Sequence, residues 1–431
     1  AEMAHGTQGD VLYYGSGGAP ARLGAGTSGY FLKTQGGSAN PVWAEVSAGV
    51  TSTNTTNNTI GGTNAGAALD ADTTDNTLFG YDTGKAINSG DDNSAFGGKA
   101  LQATTSGGAN TAVGYYSLYT NVSGSNCVAV GADALRNNTY SGNTAVGKGS
   151  LYTNSSGYSN VAVGMHSLYT NNGNNNTGIG YYTMEDITSA SQCTAVGAYA
   201  MDALEDGNYN EAFGYGALGS ATSAGECTAI GSNAGLNITT GTRNVAVGHA
   251  AMLTNSDGQY NTAVGYKALY ENNASHNTVV GHQAAFYMDT GATNTAMGHE
   301  ALRCASGTAT HPDNNVAIGA SAMKMATEAN ECVAVGAEAA LDISTASEVT
   351  AIGRRALQNI TTGVRNTAVG YNSGSAVQGG AYNTFLGYEA GAAVNSGDYN
   401  CFIGYNAGTG QVTSEDNRLY ISRNNDSDGN A

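Results

Sequence analysis

The chain has 431 residues and a formal net charge of -18, with only 15 Lys and Arg. So few cations cannot track a phosphate backbone or an anionic bilayer, which excludes nucleic acid and electrostatic membrane docking as partners. Glycine supplies 63 residues and proline 3, without the Gly-X-Y period of collagen, and no run of about 18 apolar residues offers a membrane-spanning helix.

Residues 1–50 read as a small β module. Strands are expected at 11–14, 30–33 and 42–46, separated by Gly-rich turns, with Pro20 and Pro41 at strand boundaries. Trp43, the single tryptophan, is expected to anchor the core of this module. A Thr-, Ser- and Asn-rich stretch at 47–58 reads as a linker.

Residues 51–410 are organised by one pentapeptide, Asn110-Thr111-Ala112-Val113-Gly114, and its variants. Its closing glycine recurs 21 times from Gly61 to Gly404. Most steps are 16 or 17 residues; the exceptions are 19 at the start and 21 between Gly298 and Gly319. A fixed period this short predicts a stacked-coil architecture: an all-β parallel β-solenoid of about 21 coils. Paired helices cannot fit in 17 residues, and the Gly, Asn and Thr content penalises helix throughout.

The residue before the marker glycine is always apolar, and two positions earlier Thr stands in twelve copies and Val in five. Strand side chains alternate faces, so these two columns share a side, and their composition assigns them to the interior. The residue between them is then expected to point outward. It is Ala in fifteen copies, among them Ala112, Ala129, Ala145, Ala162, Ala246, Ala263, Ala296, Ala334 and Ala368. An outward row of alanines is expected to be an oligomer interface, with identical chains packed close. Large residues in the same column (Leu78, Phe385 and Phe402) fall near the ends of the array, where the chains would diverge. Four residues after the glycine comes Leu or Met in thirteen copies, a second apolar contact before a polar return loop. Residues 411–431 form a closing strand and a polar tail.

Cys127, Cys193, Cys227 and Cys332 occupy the position four before the glycine, where sixteen copies have Asn. Coils stack about 4.8 Å apart, so Cys193 and Cys227, two coils apart, are beyond disulfide reach. They read as small buried fillers.

No nucleophile elbow, P-loop or HExxH occurs, and neither metal nor cofactor is expected. His249, His282 and His299 follow their glycines in a column that also holds Tyr81, Tyr115, Tyr181, Tyr215, Tyr266, Tyr371, Tyr388 and Tyr405. That tyrosine column, with Asn and Thr beside it, is the candidate glycan-binding face. Arg303, His311, Pro312 and Asp313, in the longest interruption of the array, form the candidate specific loop.

The NTAVG and NVAVG motifs, followed by a small residue and Leu, resemble the head repeats of trimeric autotransporter adhesins. They are also similar to NTAVGYxAL arrays of bacteriophage tail fibres. The string GDVLYYGSGGAPARLGAGTSGYFLKTQGGSANPVWAEV resembles a β module of such fibres, and the NRLYI string resembles the segment preceding a C-terminal chaperone domain that is removed after folding. These resemblances imply a homotrimer, left-handed coils as in the adhesin heads, and a location on a virion tail or a cell surface. They also imply attachment to other tail proteins through the N-terminal module, and a host glycan or protein as receptor. The function expected is a non-enzymatic tail-fibre or spike shaft. The alternatives are a bacterial surface adhesin or self-assembling extracellular fibre, and a polysaccharide depolymerase. An ice- or mineral-binding array would need an outward threonine column, which the expected orientation does not provide.

Overall fold

The computed structural model describes residues 10–14, 18–27, 30–33, 40–45, 50–53, 56–305, 312–409 and 414–422. Among these the chain is strand and turn, with no helix. One continuous sheet of 23 strands runs the length of the array. It opens with Val50–Thr53 antiparallel to Asn58–Gly61, so a stretch of the expected linker is a strand paired to the first coil. Every later neighbour is parallel and one coil on, in register: Ala112 faces Ala129, and Ala129 faces Ala145. The sheet ends where Leu419–Ile421 pairs with Cys401–Ile403. The expected solenoid of about 21 coils is therefore the fold. Pairing of Thr59 with Thr77 and Gly61 with Phe79 makes Gly62, one residue beyond the sequence marker, the turn glycine of the first coil.

Each coil begins with a strand of three residues, such as Thr111–Val113. Gly114 then adopts φ 136°, and a Cβ there would lie 2.4 Å from the carbonyl oxygen of Gly131. Only glycine fits so close an approach of stacked backbones. In most coils the next segment is neither a second strand nor a 3₁₀ turn; the exception is a short parallel pair, Asn137–Asn138 with Thr153–Asn154. Every second residue has positive φ, as at Tyr116 (59°) and Leu118 (50°). The amides of Gly114 and Tyr116 donate back to Phe96 and Gly98, while those of Leu118 and Thr120 donate forward to Ala134 and Arg136. The inter-coil hydrogen-bond ladder thus continues around the corner.

The strand faces are the reverse of those expected. Ala112, Ala129, Ala145, Ala162, Ala246, Ala263, Ala296, Ala334 and Ala368 are buried inside the coil, and the flanking Thr and Val columns point out. The alanines are consequently not an interface between chains. The cause is the narrowness of a 17-residue coil. Its interior is already filled by Leu118, Leu151 or Met184 from the turn, and by a further buried column (Ile87, Asn121, Ile187, Ile343 or Ile360) from the return segment. Opposite them the strand has room for little more than a methyl. Where the turn residue is glycine a larger side chain fills the space: Leu78 beside Gly66 and Gly84, Phe385 beside Gly374 and Gly391, and Phe402 beside Gly391 and Gly408, all from the strand, and Ile238 from the return segment beside Gly235. These large residues fill interior volume rather than a gap between diverging chains.

A buried asparagine ladder closes the coil. Asn110 Oδ1 accepts the amide of Cys127, and Asn110 Nδ2 donates to the carbonyl of Gly124 and to Asn93 Oδ1. The pattern recurs at Asn160, Asn294, Asn315 and Asn383, whereas Asn277 Nδ2 turns to Asn272 Oδ1. Cys127, Cys193, Cys227 and Cys332 are buried free thiols standing in this column, as the spacing implies.

The N-terminal residues form two antiparallel hairpins, Val11–Tyr14 with Pro20–Leu23 and Tyr30–Lys33 with Val42–Glu45. Pro20 opens a strand, where its missing donor does no harm. Trp43 Nε1 donates to the carbonyl of Gly24 at 2.6 Å, and the indole lies against Gly26, tying the hairpins together.

Candidate functional site

The broadest exposed feature is the outer face of the sheet. Thr111, Thr144, Thr177, Thr194, Thr228 and Thr262 stand in register along one column, half-buried by their neighbours. Two residues on runs an apolar column whose members along the array are exposed or half-buried. Phe96, Val113, Val146, Ile179, Phe213, Ile230, Met297, Ile352 and Leu386 are each 36–46% accessible. Phe79 and Phe96 stack at 5.4 Å between ring centroids at the start of this column. Exposed apolar surface this extensive is rare on a chain that acts alone.

Beyond the turn glycines lies the tyrosine and histidine column, on the outside as expected. Tyr81, Tyr115, Tyr181, Tyr215, Tyr266, Tyr388 and Tyr405 are exposed and Tyr371 is half-buried. Where its members stand on successive coils they stack on one another. Tyr371, Tyr388 and Tyr405 are spaced 5.1 and 5.2 Å apart and nearly parallel. His249, Tyr266, His282 and His299 form a second run with spacings of 5.5, 5.1 and 5.2 Å. The stacked rings present edges to solvent. Among the described residues no group of three or more His, Cys, Asp or Glu is placed to hold a metal ion.

A third outward column, five residues before the glycine, was not singled out from the sequence. It carries Glu226, Arg243, Tyr260 and His276 on successive coils, and the same Glu–Arg–Tyr order at Glu348, Arg365 and Tyr382, followed by Tyr399. Arg365 reaches both Glu348 carboxylate oxygens at 2.9 Å and the Tyr382 hydroxyl at 2.6 Å. Hydrogen bonding to Arg365 holds the Glu348 carboxyl below its ordinary range. Pairs this exposed add little stability; they satisfy one another and leave no free charge for a ligand.

The candidate loop is divided. Arg303 pairs with Glu300 at 3.5 Å, and Lys324 binds the same carboxylate at 2.6 Å. The hydrogen bond from Lys324 holds the Glu300 carboxyl low. Pro312 is buried, and its carbonyl accepts a hydrogen bond from Asn294 at 2.6 Å. Asp313 accepts from the amide of Ala292 and donates its own amide to Asn330. Pro312 and Asp313 therefore belong to the ladder, and Arg303 is tethered. His311 lies outside the described residues.

The side-chain wall of the turn edge, built from residues two and five after each glycine, opens at one coil into a slot of about 420 Å³. In the Gly214 coil both wall positions are glycine, Gly216 and Gly219. Tyr199, Asp202 and Tyr215 border the slot on one side, and Ser220, Asn233 and Leu236 on the other.

No family model matches the chain, and no curated protein or solved structure matches it. Among the described residues no helix is long and apolar enough to cross a membrane.

Proposed function

We propose that the chain is the shaft of a self-associating, non-enzymatic extracellular fibre of the tail-fibre or spike type, giving mechanical reach and attachment to a host surface. The observation that carries this reading is the exposed apolar column on the outer sheet face. A face that repeats once per coil, about every 4.8 Å, is matched along its whole length only by a partner with the same repeat. Another copy of the chain supplies that partner. Twenty coils give a strip of roughly 100 Å, enough for an interface of standard size. Three copies about one axis would bury all three strips against each other, in keeping with closed symmetry. The bacterial surface adhesin is the same physical reading in another setting, and the depolymerase reading gains no support from the carboxylates described above.

The test is the state of association. Lysines placed together at Val113, Val146 and Ile179 point to solvent in a single chain, so each coil keeps its interior. Sedimentation and light scattering should find a wild-type trimer and a folded monomeric variant at micromolar concentration. A monomeric wild type would sink the reading.

The outward threonine column favours a second reading, an ice- or mineral-binding face, because it removes the orientation objection. Against it stand the uneven sizes of the companion column, Val113 beside Phe213, Met297 and Leu386, and the intrusion of Glu211 among the threonines. Thermal hysteresis of the soluble chain measures this directly; a value at the buffer baseline is expected.

A further inference from the structure

We propose that the slot in the Gly214 coil is a monosaccharide-sized site that binds one neutral hexose unit of a surface polysaccharide. The proposal rests on the attachment half of the function proposed above and is independent of self-association.

The slot exists because two side chains are missing together. The flanking coils carry Tyr199 and Asn233 at the position two after the glycine and Asp202 and Leu236 at the position five after it, and more distant coils carry Tyr119, Tyr152, Tyr169 or Tyr270 there. At Gly216 and Gly219 the wall drops to bare backbone for one coil. A Cβ on Gly219 would sit 3.3 Å from Asp202 Oδ1 and 3.0 Å from Leu236 Cδ1, so both side chains lean into the vacated space. A Cβ on Gly216 would sit 2.7 Å from Asn233 Oδ1. The volume of about 420 Å³ lies in the range of small-ligand sites, roughly 300–1,000 Å³.

The chemistry of the lining points to a sugar. The Tyr199 and Tyr215 rings meet edge to face, 5.8 Å apart, and form an aromatic end suited to the C–H face of a pyranose. Asp202 accepts hydrogen bonds from adjacent hydroxyls, Asn233 both donates and accepts, and Ser220 adds a hydroxyl at the rim. Among the described residues Asp202 has no ion pair, and burial, with Asp186 as a lesser influence, raises its carboxyl above the ordinary range. A half-buried carboxylate without a cation gains from hydroxyl donors. An anionic sugar would meet Asp202, Asp186 and Glu185 as like charges and is disfavoured.

The full chain is titrated with the methyl glycosides of glucose, galactose and mannose and with N-acetylglucosamine, followed by saturation-transfer NMR and calorimetry. At least one of them is expected to bind in the millimolar range. Gly219→Tyr introduces a side chain that this column carries elsewhere, at the cost of small shifts of Leu236 and Asp202; with its fold checked by circular dichroism, it should weaken binding at least tenfold. Asp202→Asn keeps the shape and should weaken binding severalfold. Unchanged binding by the folded Gly219→Tyr variant, or no binding of any of these sugars by the wild type, overturns the proposal. Sedimentation of the same samples reports self-association separately, so failure of the slot and failure of the fibre reading are told apart.

Discussion

The residue that best exposes the logic of the coil is the ladder asparagine, because its replacement by cysteine interrupts an amide relay. Asn210 Oδ1 accepts the amide of Cys227, whereas the amide of Asn244, one coil on, meets the Cys227 sulfur, a weak acceptor, in place of the carboxamide oxygen that Asn261 finds in Asn244. The Cys227 thiol donates instead to the carbonyl of Gly241. Cys227→Asn should replace the weak acceptor with a strong one and raise stability by about 1 kcal/mol, measured by urea denaturation. Burial also pushes the Cys227 and Cys332 thiols up to about 11 from an ordinary 9.0. The folded chain then holds protons that the unfolded chain releases. This contribution is complete below pH 9 and is lost as the pH rises through 9 to 11. The variant's stability should fall less steeply across that window than the wild type's.

At the scale of the element, the turn column four residues after the glycine shows what a sequence pattern can hide. It contains Leu, Met, Ala and Gly and never Val, Ile or Thr, although its side chains are fully buried. The reason is backbone, not volume: Leu269 has φ 51°, a left-handed conformation that a β-branched residue tolerates badly. Leu269→Ile keeps the volume and should cost about 2 kcal/mol, whereas Leu269→Met should cost under about 1 kcal/mol; thermal melts of the two compare them. The period, the strand and the turn glycine were legible in the sequence because each is a direct consequence of stacking. The facing of the strand was not. Alternation pairs Thr111 with Val113 on one side and Ala112 on the other, but it does not say which side is in, and a one-residue phase error inverts the sheet. Hydrophobic composition suggested Val113; the space left by Leu118 and Asn121 decides for Ala112. Ala263→Glu should therefore unfold its coil rather than merely separate one chain from another, visible as loss of the β signal in circular dichroism.

The candidate site was only partly legible for a related reason. The exposed tyrosine column could be counted, but the slot is made of absences, Gly216 and Gly219, and matters only because their neighbours are large. Reading each column for its missing side chains would have found it.

For the whole molecule the open question of a solenoid is its ends. Each coil satisfies its backbone on the next, so the last coil presents a row of donors and acceptors unless something covers it. Here Leu419–Ile421 pairs with Cys401–Ile403, the amide of Arg418 takes the carboxamide oxygen of Asn400, and Tyr420 stacks on Phe402 at 4.8 Å. The closing strand thus continues the sheet, the asparagine ladder and the aromatic column of the interior for one more step. At the other end Val50–Thr53 reverses direction against Asn58–Gly61, which stops parallel stacking there. A chain ending at residue 409 loses the first cover and keeps the second. It would present Cys401–Ile403 as a bare edge beside an uncovered Phe402. Such chains should melt at lower temperature and join end to end, so that scattering grows with time and concentration and electron micrographs show rods longer than the parent. Rods of unchanged length would overturn the capping role assigned to the closing strand.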